Sequence, residues 1–416
     1  MKAESAGVRL SASDLSNHLA CRHLTSLDLS VARGQRGAPE WRAPDLFVIQ
    51  ELGLRHEAAY LDFLCRQGIA VVDLRSIKDE QESLLETRRR MEQGVEVIAQ
   101  GTLGVGRWFG HPDVLRKVPK PSRFGEWSYE VYDCKLACET KATTILQLAL
   151  YSALLGEIQG REPEFMYVVP PGRNFEAESY RCAEYVAYYR YVKERLETFC
   201  DDGQGAPAYP EPCEHCAVCR WFAECDAKRR EDDHLSLVAG ITRLQRNQLD
   251  RWDTRTMTTL AAFPIPLRQK PAHGSKEAYE RVREQARVQV EGRDQEKPIH
   301  ELLPVEEAKG FCKLPKPSGL DVFVDLESDP FASGGELQYL FGFVRQDQNG
   351  QLVYQSQWSF TPAAEKQAFE WIVDEIMQKW KEDPTMHVYH FGKQIPTQAA
   401  ATETLPHAVP PTGSVT

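Results

Sequence analysis

The sequence predicts a mixed α/β protein, and three observations carry that expectation. Apolar residues recur at helical spacing near the start, alternate with polar ones between Gly and Pro from Val97 to Ala137, and return to helical spacing in KATTILQLALYSALLG. Helices, a strand meander, a helix, a strand and a further helix make one α/β unit of about 230 residues.

Taken in order, residues 13–31, SDLSNHLACRHLTSLDLSV, open with Ser13 or Asp14 as a cap and continue with helical periodicity, so Cys21 falls in that helix or just past its first turns. A second helix is expected over 44–67, with Leu46, Ile49, Leu52, Leu54 and Ala58 on its buried face. Residues 78–95 read as a charged helix. VIAQGTLGVGRWFGHPDVLRKV and EWSYEVYDCKLA read as strands and hairpins. KATTILQLALYSALLG is expected to be a helix ended by Gly156, EFMYVVPPG a short strand, and CAEYVAYYRYVKERLETFC an aromatic-rich helix. Residues 231–297 form a helical connector, in which VAGITRLQRNQL and TMTTLAAF faintly resemble helix-hairpin modules that touch DNA backbones; simple helical packing is the alternative. Prolines mark 298–317 as a linker. A last unit over 318–392 starts with the strand DVFVDLE, and 393–416, without either period, reads as a disordered tail.

Composition bounds the function. With 416 residues, 42% of them hydrophobic, the chain can bury a sizeable core in two or more domains. No secretory or membrane-spanning apolar run appears, so a cytoplasmic address and no membrane partner are expected. The net charge of −11 argues against a basic coat protein for nucleic acid, although an acidic metal-dependent nuclease can confine its positive charge to a groove. Eleven cysteines, several at CxxC spacing, favour metal ligation over disulfides in a reducing compartment. Cys65, Cys182, Cys200 and Cys312 stand alone as expected core fillers.

The chemistry concentrates in a few stretches. On a strand, VYDCKL puts Asp133 and Lys135 on one face, where a carboxylate can hold a divalent cation and an ammonium can orient water. GHPDVL places Asp113 at the end of a hairpin, available as a second carboxylate. ILQLALY sets Gln147 and Tyr151 four apart on one helix face, and GLRHE sets His56 and Glu57 in an earlier helix.

A helical His, a PD, a DxK and a QxxxY in this order resemble the RecB-like branch of the PD-(D/E)XK nucleases. The resemblance implies a restriction-endonuclease-like core with flanking helices. It further implies that His56, Asp113 and Asp133 ligate Mg²⁺ or Mn²⁺, that Lys135 positions or deprotonates water, and that Gln147 and Tyr151 shape the DNA site. Single-stranded DNA ends are the implied substrate, in repair or processing, with a helicase as a possible partner. The chain itself lacks the GxxxxGK[ST] phosphate loop. Asp133 stands where Glu is common in this family, which keeps open a catalytically silent nucleic-acid-binding scaffold.

PCEHCAVCRWFAEC, residues 212–225, admits two readings. A branch of the same family carries one cysteine before the nuclease motifs and a CxxCxxxxxC trio after them, so the resemblance assigns Cys21, Cys216, Cys219 and Cys225 to a 4Fe-4S cluster. Cys213 is then surplus. The alternative is zinc on Cys213, Cys216, Cys219 and Cys225, which suits a four-ligand preference but leaves Cys21 without a role.

In the last unit, DVFVDLESDPF sets Asp325 and Glu327 on one strand face, a second possible metal site. This segment resembles the start of a YprB-like, ribonuclease H-like exonuclease domain. It implies a truncated α/β segment whose second active site is not functional here.

Overall fold

The computed structural model describes residues 1–391 except 5–6, 41–43, 138, 202–207, 308 and 333–335. The expected tail at 393–416 therefore lies outside the described residues. The chain is mixed α/β and divides into two units, Met1–Leu302 and Leu303–Thr416. The division falls inside the proline-marked segment 298–317. No helix among the described residues is long and apolar enough to cross a membrane.

The first unit opens with a paired β1 (Lys2–Glu4) and β2 (Gly7–Arg9), then α1 (Ala12–Ala20), α2 (Arg22–Ala32) and α3 (Pro44–Arg66). β3 (Val71–Asp73), α4 (Glu80–Glu92), β4 (Val97–Ala99), β5 (Leu103–Val105), β6 (Trp108–Gly110), β7 (Val114–Val118) and β8 (Ser128–Cys134) follow. After them come α5 (Ala142–Gln159), β9 (Phe165–Val169), β10 (Glu178–Arg181), α6 (Cys182–Asp201), α7 (Phe222–Glu231), α8 (Arg243–Arg251), α9 (Met257–Ala261) and α10 (Lys276–Asp294).

Six strands make the central sheet in the order β10-β9-β8-β7-β4-β3. The β3–β4 and β8–β9 pairs are parallel, and α4 and α5 are their crossovers; the other pairs are antiparallel. Alternate residues of β8 feed two cores. Tyr129 and Val131 join Leu146, Leu150 and Leu154 of α5, whereas Tyr132 joins Tyr60, Leu61 and Leu64 of α3. α5 is apolar around most of its circumference because it is buried on several sides, with the sheet, α1 and α6 as neighbours. A separate apolar core unites α8, α9 and α10 around Leu249, Met257, Leu260, Tyr279 and Val282.

Three expectations are corrected. The helical pattern of residues 13–31 is broken at Cys21, whose backbone is extended (φ −155°, ψ 109°), so that it ends α1 and caps α2. The buried face of α3 is its C-terminal half, Glu57, Tyr60, Leu61 and Leu64, which docks on the sheet; Ile49 (43% exposed), Leu54 (55%) and Ala58 face outward. α5 runs past Gly156 to Gln159 because Gly160 supplies the left-handed residue (φ 67°) that ends a helix.

The second unit contains β11 (Val322–Asp329), β12 (Leu337–Gln346), β13 (Leu352–Trp358), α11 (Pro362–Glu382) and β14 (Val388–Tyr389). Their sheet order is β13-β12-β11-β14, antiparallel except for the β11–β14 pair. Val322, Val324, Phe341 and Phe343 pack with Ala368 and Ile372 of α11.

Candidate active site and cysteine cluster

Sheet pairing brings the acids together. β7 and β8 pair with Val114 opposite Tyr132, which sets Asp113, just before β7, beside Asp133 near the end of β8. Asp113 Oδ2 accepts the backbone N–H of Cys134 at 2.7 Å. Asp133 is fully buried, and its Oδ2 is paired with the Lys135 ammonium at 2.5 Å. Asp133 and Lys135 thus share a face, as the two-residue strand period requires. Behind them, Gln147 Nε2 donates to Asp133 Oδ1 (3.4 Å) and to Tyr151 Oη (3.2 Å), one turn of α5 spanning the two contacts. Tyr151 is fixed by the strand beside it. A Cβ on Gly110 would stand 2.2 Å from Tyr151 Cε1, so only glycine leaves the ring its place.

Two further residues join this group. Glu57 Oε1 accepts from Arg75 Nη2 (2.7 Å) and from Gln100 Nε2 (2.8 Å), and the same Gln100 nitrogen reaches Asp113 Oδ1 at 3.5 Å. Gln100 does so from a left-handed backbone (φ 52°), a conformation that costs a non-glycine residue free energy and is over-represented at functional positions. Its identity carries no sequence signal. Glu57 stands in the motif GLRHE, yet helical periodicity alone does not say whether it or its neighbour faces the site.

His56 is placed differently from the expectation. Its Nε2 bonds the Val169 carbonyl at 2.9 Å, and its ring stacks on Phe175 at 5.8 Å. Since a carbonyl only accepts, the proton sits on Nε2. Val169 O also accepts the Lys135 N–H at 3.1 Å, so His56 braces the strand end that carries the lysine. Glu57, not His56, faces the acid pair.

The electrostatics follow from burial and crowding. Burial raises the Asp133 carboxyl above the ordinary range, and the neighbouring Asp113 raises it further, against the pull of Lys135. Asp113 is raised by burial, with Glu57 adding to the effect and Lys135 opposing it. Glu57 is raised by burial despite Gln100 and Arg75. Burial works to depress Lys135, but Asp133 and Asp113 outweigh it and hold the ammonium charged. Three carboxyl groups face two cations, the Lys135 ammonium beside Asp133 and the Arg75 guanidinium on Glu57, and so leave a deficit of positive charge. Oxygen donors of this kind suit Mg²⁺ or Mn²⁺. In the present geometry no three His, Cys, Asp or Glu side chains among the described residues already form a metal-binding group.

The cysteines form a second locus. Cys21, at the break between α1 and α2, lines one small cavity with Cys213, Cys216, Cys219 and Cys225. Leu24, Leu27 and Trp221 close it on the apolar side. Cys21 Sγ accepts the Leu24 N–H at 3.4 Å. Cys216 Sγ accepts the Cys213 N–H at 3.4 Å, and the two sulfurs stand 3.9 Å apart, too far for a disulfide. Cys213, which the iron–sulfur assignment leaves surplus, therefore lies within the group. Asp28 of α2 ties the two ends of the region together, accepting from Arg220 Nη2 (2.6 Å) and Trp221 Nε1 (2.8 Å). Burial pushes the Cys225 thiol up to about 12 and the Cys213 thiol to about 11, so both hold their protons at neutral pH.

In the second unit, Asp325 and Glu327 share an exposed face of β11, opposite Gly342 and Leu340 of β12. Asp325 Oδ1 accepts its neighbour's N–H at 3.1 Å.

No protein-family model matches the chain, and no curated protein sequence matches it.

Proposed function

We propose that the first unit is a divalent-metal-dependent nuclease of the RecB-like PD-(D/E)XK type, acting on single-stranded DNA ends. The observation that carries this reading is the gathering of Asp113 and Asp133 beside Lys135 at the ends of paired strands, with Glu57 of α3 joined to Asp113 through Gln100. Asp113 and Asp133 would hold the ion, with Glu57 as a third carboxylate and Gln100 keeping Glu57 and Asp113 in register. A bound Mg²⁺ or Mn²⁺ would polarise a phosphoryl oxygen and stabilise the departing oxyanion. Lys135, beside both acids, would position or deprotonate the attacking water. Gln147 keeps the Asp133 carboxylate aimed and, with Tyr151, walls the site on the α5 side.

The test is cleavage of an end-labelled single-stranded oligonucleotide in Mg²⁺, Mn²⁺ or EDTA. Cation-dependent cleavage that disappears in Asp133→Asn and Lys135→Ala, with thermal midpoints close to the parent's, supports the assignment. Undiminished cleavage in those variants refutes it. Strand binding without cleavage in either cation supports the scaffold reading instead.

For the cysteines we infer a 4Fe-4S cluster on Cys21, Cys216, Cys219 and Cys225, supported by the approach of Cys21 to the later trio. Zinc is the second reading. The 3.9 Å between Cys213 Sγ and Cys216 Sγ is close to the edge of a sulfur tetrahedron with bonds of about 2.3 Å. Iron, sulfide and zinc analysis after anaerobic purification separates them. Cys213→Ser should keep an iron–sulfur cluster and lose zinc.

A further inference from the structure

A cavity of about 650 Å³ opens between the start of α2, the middle of α6, the segment 208–213 and the start of α8. Its size is that of a ligand site, and its wall carries three arginines from three separate helices, Arg22, Arg195 and Arg243. All three are exposed. Elsewhere in the unit arginines are commonly paired with acids, as in Arg75–Glu57, Arg107–Asp201, Arg220–Asp28 and Arg293–Asp233. Among the described residues these three have no carboxylate partner.

The acid that lines the cavity, Glu211, does not offset them. Its carboxylate is already paired with His234 Nε2 (3.2 Å) and Arg246 Nη2 (2.9 Å). Of the histidines on the wall, His18 adds no charge, since burial lowers it to about 4, and His23 is bonded to the Ala208 carbonyl. The cavity is thus a cationic recess in a chain of net charge −11. Its mouth also presents a ring: Tyr191 is 53% exposed, with the Arg195 guanidinium 5.2 Å from its centroid and Arg195 Nη1 donating to its hydroxyl at 2.6 Å.

Guanidiniums spread over several elements suit successive phosphates, and an exposed tyrosine suits a base face. We propose that this cavity is a subsite for single-stranded nucleic acid, with phosphates on Arg22, Arg195 and Arg243 and one base against Tyr191. The proposal rests on the nuclease reading for the identity of the polyanion. It is independent of that reading in its residues. Cys21 and Cys213 line both this cavity and the cysteine cavity, so a strand held here would lie against the cysteine cluster.

Fluorescence anisotropy of labelled dT20 with the full chain in EDTA tests the subsite without cleavage. Arg195→Ala/Arg243→Ala should weaken binding about tenfold or more and flatten the log–log salt dependence by about 1.4, roughly 0.7 for each phosphate no longer neutralised. Tyr191→Ala should weaken dT20 binding about fivefold or more and leave an abasic strand of equal length unaffected. The subsite is overturned if the double variant keeps the parental affinity and salt slope while circular dichroism shows it folded, or if dTMP binds as tightly as dT20. Arginine-dependent binding with no Mn²⁺-dependent cleavage keeps the subsite and removes the nuclease. Cleavage with arginine-independent binding does the reverse.

Discussion

The two units each carry a group of acids at a sheet, but in opposite surroundings. Asp133 is wholly buried and Glu57 is 5% exposed, both within reach of Asp113 through Lys135 and Gln100. Asp325 and Glu327 lie on an open strand face. Water solvates an open pair at little cost, whereas a buried group of acids is short of positive charge and can recover it from a cation. The pattern of residues alone does not distinguish the two cases; packing does.

Neutralising each acid group in turn separates the two units. Asp133→Asn or Glu57→Gln should lower Mn²⁺-dependent cleavage by about a hundredfold or more, the scale of removing one preorganised electrostatic interaction. Asp325→Asn/Glu327→Gln should leave it within about twofold. A large loss from the second pair would place the chemistry in the other unit.

Clustered and isolated cysteines extend the contrast. Cys21→Ser or Cys225→Ser should remove bound metal and lower the thermal midpoint by about 10 °C, as expected for a structural metal that contributes several kcal/mol. Cys65 and Cys312, expected as core fillers, are exposed instead, so Cys65→Ser should change stability by no more than about 0.5 kcal/mol. Prolonged chelation of the parent should reproduce the first result, read by differential scanning calorimetry.

The pH dependence sharpens the same point. Asp113 and Asp133 have raised folded-state pKa values, so their contribution to stability is full below the ordinary carboxylate range and is lost as pH rises through the raised values. Metal-free protein should lose part of its stability from about pH 5 towards pH 8. Mn²⁺ should raise the midpoint more at the upper end, and Asp133→Asn should flatten the metal-free profile. A metal-free profile that rises through this range in the parent and not in the variant contradicts the raised values.

The smallest effect concerns the wall of the buried site. Gly110→Ala pushes a methyl group into the Tyr151 ring and should cost about 1–3 kcal/mol, the range for overpacking, with a several-fold loss of cleavage. Val105→Ala, opposite Trp108 rather than Gly110 in the β5–β6 register, serves as the control.

Much of the site was legible because it follows short periods. Asp133 and Lys135 are two apart on a strand, and Gln147 and Tyr151 are four apart on a helix, so each pair had to share a face. Asp113 followed from the hairpin preceding β8. Other features depend on contacts that periodicity does not encode. His56 and Glu57 differ by about 100° around α3, and only the docking of Tyr60 and Leu64 on the sheet turns Glu57 inward. The apolar residues in the first half of α3 pointed to a buried face there, but that half is left uncovered. Gln100 enters through an unusual backbone angle that its residue type does not announce. The helical pattern on both sides of Cys21 is continuous, so the break there was invisible.

That break has a consequence for biosynthesis. Asp28 finds Arg220 and Trp221 only 192 and 193 positions later, and Cys21 waits for partners in the same segment. A ribosome-bound chain that has not yet released α7 carries a thiol and an acid with no mates, whatever the rest of its sheet has achieved. The contacts of Asp28 and Cys21 with that segment are therefore completed late in synthesis, and a product released before residue 225 would be missing part of the cysteine group.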